Sequence, residues 1–282
     1  MSTALHQSQR VSAMNILASI SGGRSSAMMS YILHTHPKYK DDNKVFVFAN
    51  TGMERPETIE FLKNCEKHWG INIIKVEGVY SETMGVGVGY KVVEWDELAM
   101  NAEPFDGAIM HTNKGKYDGL PHSNAPYCSM QLKTLPIEKF AKDYFKTKNF
   151  VTSIGFRAED MPKRISWPEI KAEDKRIYPL LTDFEKPIGQ SELTKWWQRQ
   201  PFELGIHSKL GNCELCWKKS DKNLVEVIQY GTRFVDWWAK YEQKYGHTSF
   251  RGNKSINDYV KMAQQGTPME FDFDQEDFNC MC

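Results

Sequence analysis

A chain of 282 residues with 36 Lys plus Arg against 36 Asp plus Glu has no net field with which to hold a nucleic acid backbone, so such a contact would have to be local. Aromatic residues make up 12% of the chain, eight of them Trp, which excludes a disordered polymer and supplies a core of large side chains. Mean hydropathy is −0.57 and no apolar run approaches the ~20 residues of a membrane span. The start of the chain is polar up to Ile16 and lacks the pattern of a signal peptide, so a cytoplasmic location without membrane contact is expected.

In chain order the first half alternates short β-rich runs with helical patterns, the mark of a parallel α/β sheet. Residues 15–20 (NILASI) predict a buried strand and 25–35 (SSAMMSYILHT) a helix with Pro37 just beyond it. A second buried strand follows at 44–49, then a helix at 56–69 that opens on Pro56 and stops before Gly70, then a third strand at 71–76. From Gly78 to Pro126 the period is lost among Gly, Asn and Pro, which reads as a long functional insertion. A helix at 135–144, a strand at 150–155, a short strand at 178–181 and helices at 192–200, 223–244 and 255–264 complete the pattern. The expected organisation is an α/β domain over 1–220 and a helical extension over 221–282 that ends in an acidic tail with Cys280 and Cys282.

Ser21, Gly22 and Gly23 lie where the first strand hands over to the first helix. Two glycines allow a phosphate close to the backbone, and the amides of a starting helix point at the anion. Ser21, Ser25 and Ser26 add hydroxyl donors, and Arg24 adds a charge able to grip phosphate in bidentate fashion. A tight turn with a Ser cap explains a Gly-Gly pair equally well. The position after the first strand of an α/β sheet favours the anion site. The Gly-Lys-Ser/Thr ending of a Walker loop is absent.

The segment SGGRSSA resembles the phosphate loop of the PP-loop, or adenine nucleotide α-hydrolase, superfamily. Residues 48–58 (FANTGMERPET) resemble the DTG-x-x-x-PET segment of its phosphoadenosine phosphosulfate reductase branch, with Asn50 in place of Asp. Residues 153–164 (SIGFRAEDMPKR) and the run from YPLLTD to the Trp pair at 196–197 resemble two further segments of that branch, in the same order. The resemblance implies a Rossmann-like α/β fold. It also implies an adenine nucleotide (ATP, or the sulfonucleotides PAPS and APS) held by Ser21 to Ser26, by Asn50, Thr51 and Gly52, and by Gly155, Arg157 and Arg164. Proteins of this kind are common in bacteriophage and bacterial genomes. Ser25 stands where ATP-cleaving relatives carry Asp, which makes nucleotide binding the firmer expectation and ATP cleavage the weaker.

Six cysteines in a cytosolic chain suggest metal or redox chemistry over disulfides. Cys213 and Cys216 form a C-x-x-C, a spacing that lets two thiolates share one metal. The segment around Cys128, with Lys133 and Pro136, resembles the C-C-x-x-x-K-x-x-P element of adenosine phosphosulfate reductases, although Tyr127 replaces one cysteine. The resemblance implies a [4Fe–4S] cluster on Cys128, Cys213, Cys216 and an undetermined fourth ligand; a zinc site is the alternative. Cys65, in the middle of a helix, reads as an inert core thiol. His207 reads as a surface residue, and the Trp pairs at 196–197 and 237–238 as packing groups.

By position in the tail, Cys280 and Cys282 are catalytic candidates together with Lys133. Three functions follow. The first is sulfonucleotide reduction by a thiolate, with thioredoxin or glutathione as reductant. The second is ATP-dependent sulfur transfer to a nucleic acid base or small molecule. The third is a non-catalytic nucleotide-binding module. A homo-oligomer is compatible with each.

Overall fold

The computed structural model describes residues 13–113, 119–122, 125–172, 174–245, 250–251 and 253–266. Cys280 and Cys282 lie outside them. The elements in chain order are β1 (Asn15–Ile20), α1 (Arg24–Thr35), β2 (Asn43–Asn50), α2 (Pro56–Trp69), β3 (Ile73–Val79), β4 (Gly89–Val93) and α3 (Glu103–Asn113). There follow α4 (Tyr127–Ser129), a π turn at Met130–Thr134, α5 (Leu135–Phe145), β5 (Val151–Ser153), α6 (Trp167–Ala172), β6 (Arg176–Ile177), α7 (Pro179–Thr182) and α8 (Gln190–Trp197). The helices α9 (Asp221–Tyr230), α10 (Val235–Tyr245) and α11 (Ile256–Gln264) close the described chain.

The strands order as β4-β3-β2-β1-β5-β6. All neighbours run parallel except β4, which returns antiparallel on β3 with Glu77 opposite Lys91. Alternation along each strand divides the residues between two layers, as period-two geometry requires. Ile16, Ala18, Ile20, Phe46 and Phe48 join the large core cluster, which also takes in residues of α1, α2, α9, α10 and α11. Leu17, Val45, Val47 and Ala49 face the other way, against Ile137, Phe140 and Ala141 of α5. The result is a Rossmann-like α/β sandwich. The sheet grows from β1 in both directions, to β2 on one side and β5 on the other. That reversal opens a crevice at the carboxyl ends of β1 and β5, the place where such sheets bind ligands.

Local chemistry explains most boundaries. Pro56 at the first turn and Gly70 in the left-handed conformation (φ 68°) bracket α2. Ser255 caps α11 by accepting from the Asp258 amide, and Asp258 returns the bond. Three expectations are corrected. Residues 78–126 hold β4 and α3, so the segment extends the sheet and covers it instead of forming one long loop. The helix expected over 223–244 breaks at Gly231 (φ 103°) into α9 and α10. Residues 178–181 belong to the turn and helix after β6, because Pro179 pre-sets a helical start.

Candidate active site

The loop after β1 enters the crevice. Gly22 takes φ 80°, and a β-carbon there would stand 2.4 Å from Thr58 Cγ2 of α2, so glycine is required twice over. Ser26 Oγ ties the turn together. It donates to the Gly23 carbonyl at 3.0 Å, accepts the Ser21 amide at 3.1 Å and lies 3.0 Å from Ser21 Oγ. Gly23, the residue before α1, gives no side-chain cap, and the first turn of α1 carries no acid, so the positive end of this helix is not neutralised locally. From the other side of the crevice Gly155 packs flat on the same turn; a β-carbon would meet the Ser25 carbonyl oxygen at 2.9 Å.

Arg24 departs from expectation. Its guanidinium donates to Glu203 at 2.5 Å, to Ser208 Oγ at 2.8 Å and to the carbonyls of Leu204 and Ile206 at 3.0 and 3.3 Å. The fork is occupied by the 203–208 segment, so a phosphate grip by Arg24 requires it to exchange those partners. Arg157 and Arg164 converge instead on Asp160. Arg164 Nη1 lies 3.1 Å from its carboxylate and Arg157 Nε 4.0 Å, while Arg157 also bonds Gln190. His207 caps the short turn behind it by accepting from the Lys209 amide.

Beyond β2 the expected Asn50-Thr51-Gly52 segment is wholly buried among polar partners. The Asn50 amide donates to Glu77 at 2.6 Å and to the Ala99 carbonyl at 2.8 Å, and its oxygen accepts the Gly52 amide. This explains the departure from Asp: a carboxylate at position 50 would face the buried Glu77 carboxylate across a hydrogen-bond distance. Thr51 donates its hydroxyl to Glu54 at 2.9 Å and lies 3.3 Å from Cys213 Sγ. Burial pushes Glu54 above the usual carboxylate range, and the Lys133 ammonium 4.0 Å away opposes that shift.

Cys128, Cys213 and Cys216, from distant parts of the chain, line one pocket with Thr51, Lys133, Trp217 and Trp238. All three thiols are buried. The C-x-x-C loop is clamped to the loop after β2. The Glu214 amide donates to the Met53 carbonyl at 3.0 Å, and its carboxylate takes Arg233 at 2.9 Å and Arg55 at 4.0 Å. The π turn supplies Lys133, and such bulges re-aim side chains along a helix. Cys65 stands apart in α2, and burial drives its thiol far above the ordinary range, as befits a core residue.

Residues 15–186 match the family model of the phosphoadenosine phosphosulfate reductase domain. The chain belongs to that family. A relative from Escherichia phage lambda, named as an uncharacterized nin region protein, ORF290, is 32% identical over 212 residues, covering 74% of this chain and 67% of its own length. Among solved structures, the U34-tRNA thiolase NcsA from Methanococcus maripaludis with its [4Fe–4S] cluster is 15% identical with a TM-score of 0.38, spanning 93% of this chain and 76% of that one. At that level neither the thiolase's substrate nor its cluster carries over to this member of the reductase family.

Three thiols are the donor chemistry of a thiophilic centre. Yet among the described residues no three His, Cys, Asp or Glu side chains form a group that could hold a metal ion. The expected ligands share a cavity without forming a coordination shell. Sequence reasoning missed Glu54, Thr58, Glu214 and the pocket-lining role of Trp238. A charged residue inside an otherwise turn-forming NTGMERPET was the available signal for Glu54. Nothing in the local pattern marked the others. No helix of the described residues is long and apolar enough to cross a membrane.

Proposed function

We propose that this chain binds an adenine nucleotide along the carboxyl ends of β1, β2 and β5 and uses it in sulfur chemistry, with sulfonucleotide reduction as the reaction. The observation that carries the reading is the convergence of Cys128, Cys213 and Cys216 on one buried pocket that shares Thr51 and Met53 with the loop ending β2. The amides that open α1, with Ser21, Ser25 and Ser26, hold the phosphate and sulfate oxygens. Arg157 and Arg164 neutralise the nucleotide when they exchange Asp160 for it, and Gly52 and Gly155 keep the backbone close to it.

A thiolate attacks the sulfur of the sulfonucleotide; the sulfur–oxygen bond to the phosphate breaks, and AMP or its 3′-phosphorylated form leaves with the electron pair. The product is an S-sulfonated cysteine. A second thiol then attacks the cysteine sulfur, releases sulfite and leaves a disulfide, which thioredoxin or glutathione reduces. Cys280 or Cys282 supplies the attacking thiolate in this reading, and Lys133 balances the charge at the pocket.

ATP-dependent sulfur transfer is the second reading. It is favoured by the single cysteine at the Cys128 position and by a phosphate turn whose amides suit pyrophosphate as well as sulfate. One assay separates the two. Anaerobic full-length protein is given sulfur-labelled adenylyl sulfate or phosphoadenylyl sulfate with reduced thioredoxin, and in parallel ATP with tRNA, DNA or small acceptors. Labelled sulfite supports reduction. Pyrophosphate and AMP released only with an acceptor supports transfer. Pyrophosphate that ignores every acceptor sinks transfer, and neither product sinks both.

A further inference from the structure

The sheet ends in a strand edge that no other described strand covers. β4 is terminal in the strand order, so one row of its amides and carbonyls pairs with β3 while the other row points away from the sheet. No other described residue makes a backbone hydrogen bond to that outer row. Apolar side chains crowd the same end of the sheet: Val79, Met84, Val86 and Val92 are 45%, 58%, 46% and 49% exposed. Tyr144 of α5 and Met110 of α3 are exposed beside them. Tyr144 reaches β4 through Phe140 and Tyr90, and Met110 shares a hollow with Lys91. Soluble chains seldom leave so much apolar surface around an unpaired strand.

Such an edge takes another strand, and the charges on it select which. β4 carries Lys91 at its centre, and Glu94 follows its last residue. Lys91 pairs with Glu77 at 3.0 Å on the face toward α3, and Glu94 holds Lys75 at 3.0 Å on that same face. Both side chains remain more than half open, at 51% and 70%. Parallel pairing with an identical strand would set like charge on like. Antiparallel pairing brings unlike charges together, and its two-fold axis sets one residue opposite its own copy. An axis at Lys91 would face two ammonium groups directly, which is destabilising. An axis at Val92 sets valine on valine and puts Lys91 opposite the partner's Val93, one residue from the partner's Glu94. The chain has no net charge, so nothing at long range repels a second copy.

We propose that the β4 edge is an interface between two copies of this chain, paired antiparallel about a two-fold axis at Val92 with Lys91 of each beside Glu94 of the other. The pairing joins two sheets into one and uses up both free edges, so assembly stops at the dimer. A stable dimer buries about 800 Å² on each copy. A strand of five residues cannot supply that alone, and Val79, Met84, Val86, Met110 and Tyr144 are the apolar surface that flanks it.

The test is the oligomeric state of the full-length chain under reducing conditions, read by sedimentation equilibrium at micromolar concentration. The parent sediments as a dimer. Val92→Lys sets two ammonium groups face to face on the axis and weakens dimerisation at least about a hundredfold, because the axis counts the change twice. Circular dichroism verifies that this variant is folded. A second variant fixes the register without relying on the first. Val92→Cys, placed in a chain carrying Cys280→Ser and Cys282→Ser, forms a disulfide-linked dimer on mild oxidation, because directly opposed β-carbons lie about 5 Å apart. Val86→Cys in the same background stays unlinked, since its copy lies far from the axis. A parent that is monomeric at micromolar concentration overturns the proposal, whether the edge stays open or another segment of the same chain covers it. So does a folded Val92→Lys that dimerises as tightly as the parent, or a Val92→Cys that links no better than Val86→Cys.

Discussion

The phosphate turn and the thiol pocket lie on the same edge of one sheet but are built on opposite plans. The turn is local: Ser21, Gly23 and Ser26 bond one another within a few residues, while Thr58 and Gly155 press on it and the 203–208 segment holds the Arg24 side chain. The pocket is assembled at long range. Thr51, the Cys128 to Lys133 turn, Cys213 and Trp238 come from four separate stretches of chain, and charged pairs hold them. The contrast teaches that the turn tolerates loss of a neighbour, whereas the pocket depends on every partner.

The largest expected effect breaks the pocket. Glu54→Leu removes the buried carboxylate that faces the Lys133 ammonium and should cost about 3–5 kcal/mol in urea unfolding. The double variant Glu54→Leu/Lys133→Met should recover at least half of that loss. A single variant as stable as the parent would show that long-range charge does not hold the pocket. Next comes the turn. Gly22→Ala forces a side chain into φ 80° against Thr58 and should cost about 2–3 kcal/mol, with nucleotide affinity falling at least tenfold by calorimetric titration.

A pH experiment sharpens the comparison further. Glu242 lies one turn beyond the pocket residue Trp238 on α10, and burial raises its carboxyl from 4.5 to about 7. A raised acid pKa means that the folded state binds more protons than the unfolded state between those values. Stability from this group therefore falls as pH rises from 4.5 through 7 and is level above. Glu242→Gln should match the parent at pH 4.5 and exceed it by about 1–2 kcal/mol at pH 8, visible as a rise of a few degrees in Tm. The smallest effect is expected at Arg24. Arg24→Ala should loosen the 203–208 segment by about 1 kcal/mol while nucleotide affinity changes less than about threefold. A larger affinity loss would return Arg24 to the phosphate.

The alternating strands and the first two helices were readable because buried parallel strands are continuous apolar runs and Pro56 and Gly70 punctuate α2. The turn was readable because its glycines and serines are contiguous. α3 was not, because Gly107 interrupts its helical pattern. That glycine serves a distant partner: a β-carbon there would stand 2.6 Å from the Tyr80 ring. β4 is five residues long and opens on a glycine, too short to show alternation. In the candidate site the three pocket cysteines could be named from spacing and resemblance. The pairing of Glu54 with Lys133 and the Glu214 clamp could not, since the long-range partner of a charged residue leaves no local mark. The partners of Arg24 were hidden for a related reason: they lie at Glu203 to Ser208, far along the chain.

The bond from the Glu214 amide to the Met53 carbonyl has a mechanical consequence. It splices the end of a central strand to the loop that bears two of the thiols, and Arg233 bolts the joint by bonding both Glu214 and the Glu54 carbonyl. Sheet edge and thiol pocket are thus joined directly, so the separation between the carboxyl end of β2 and the thiols is set when the chain folds.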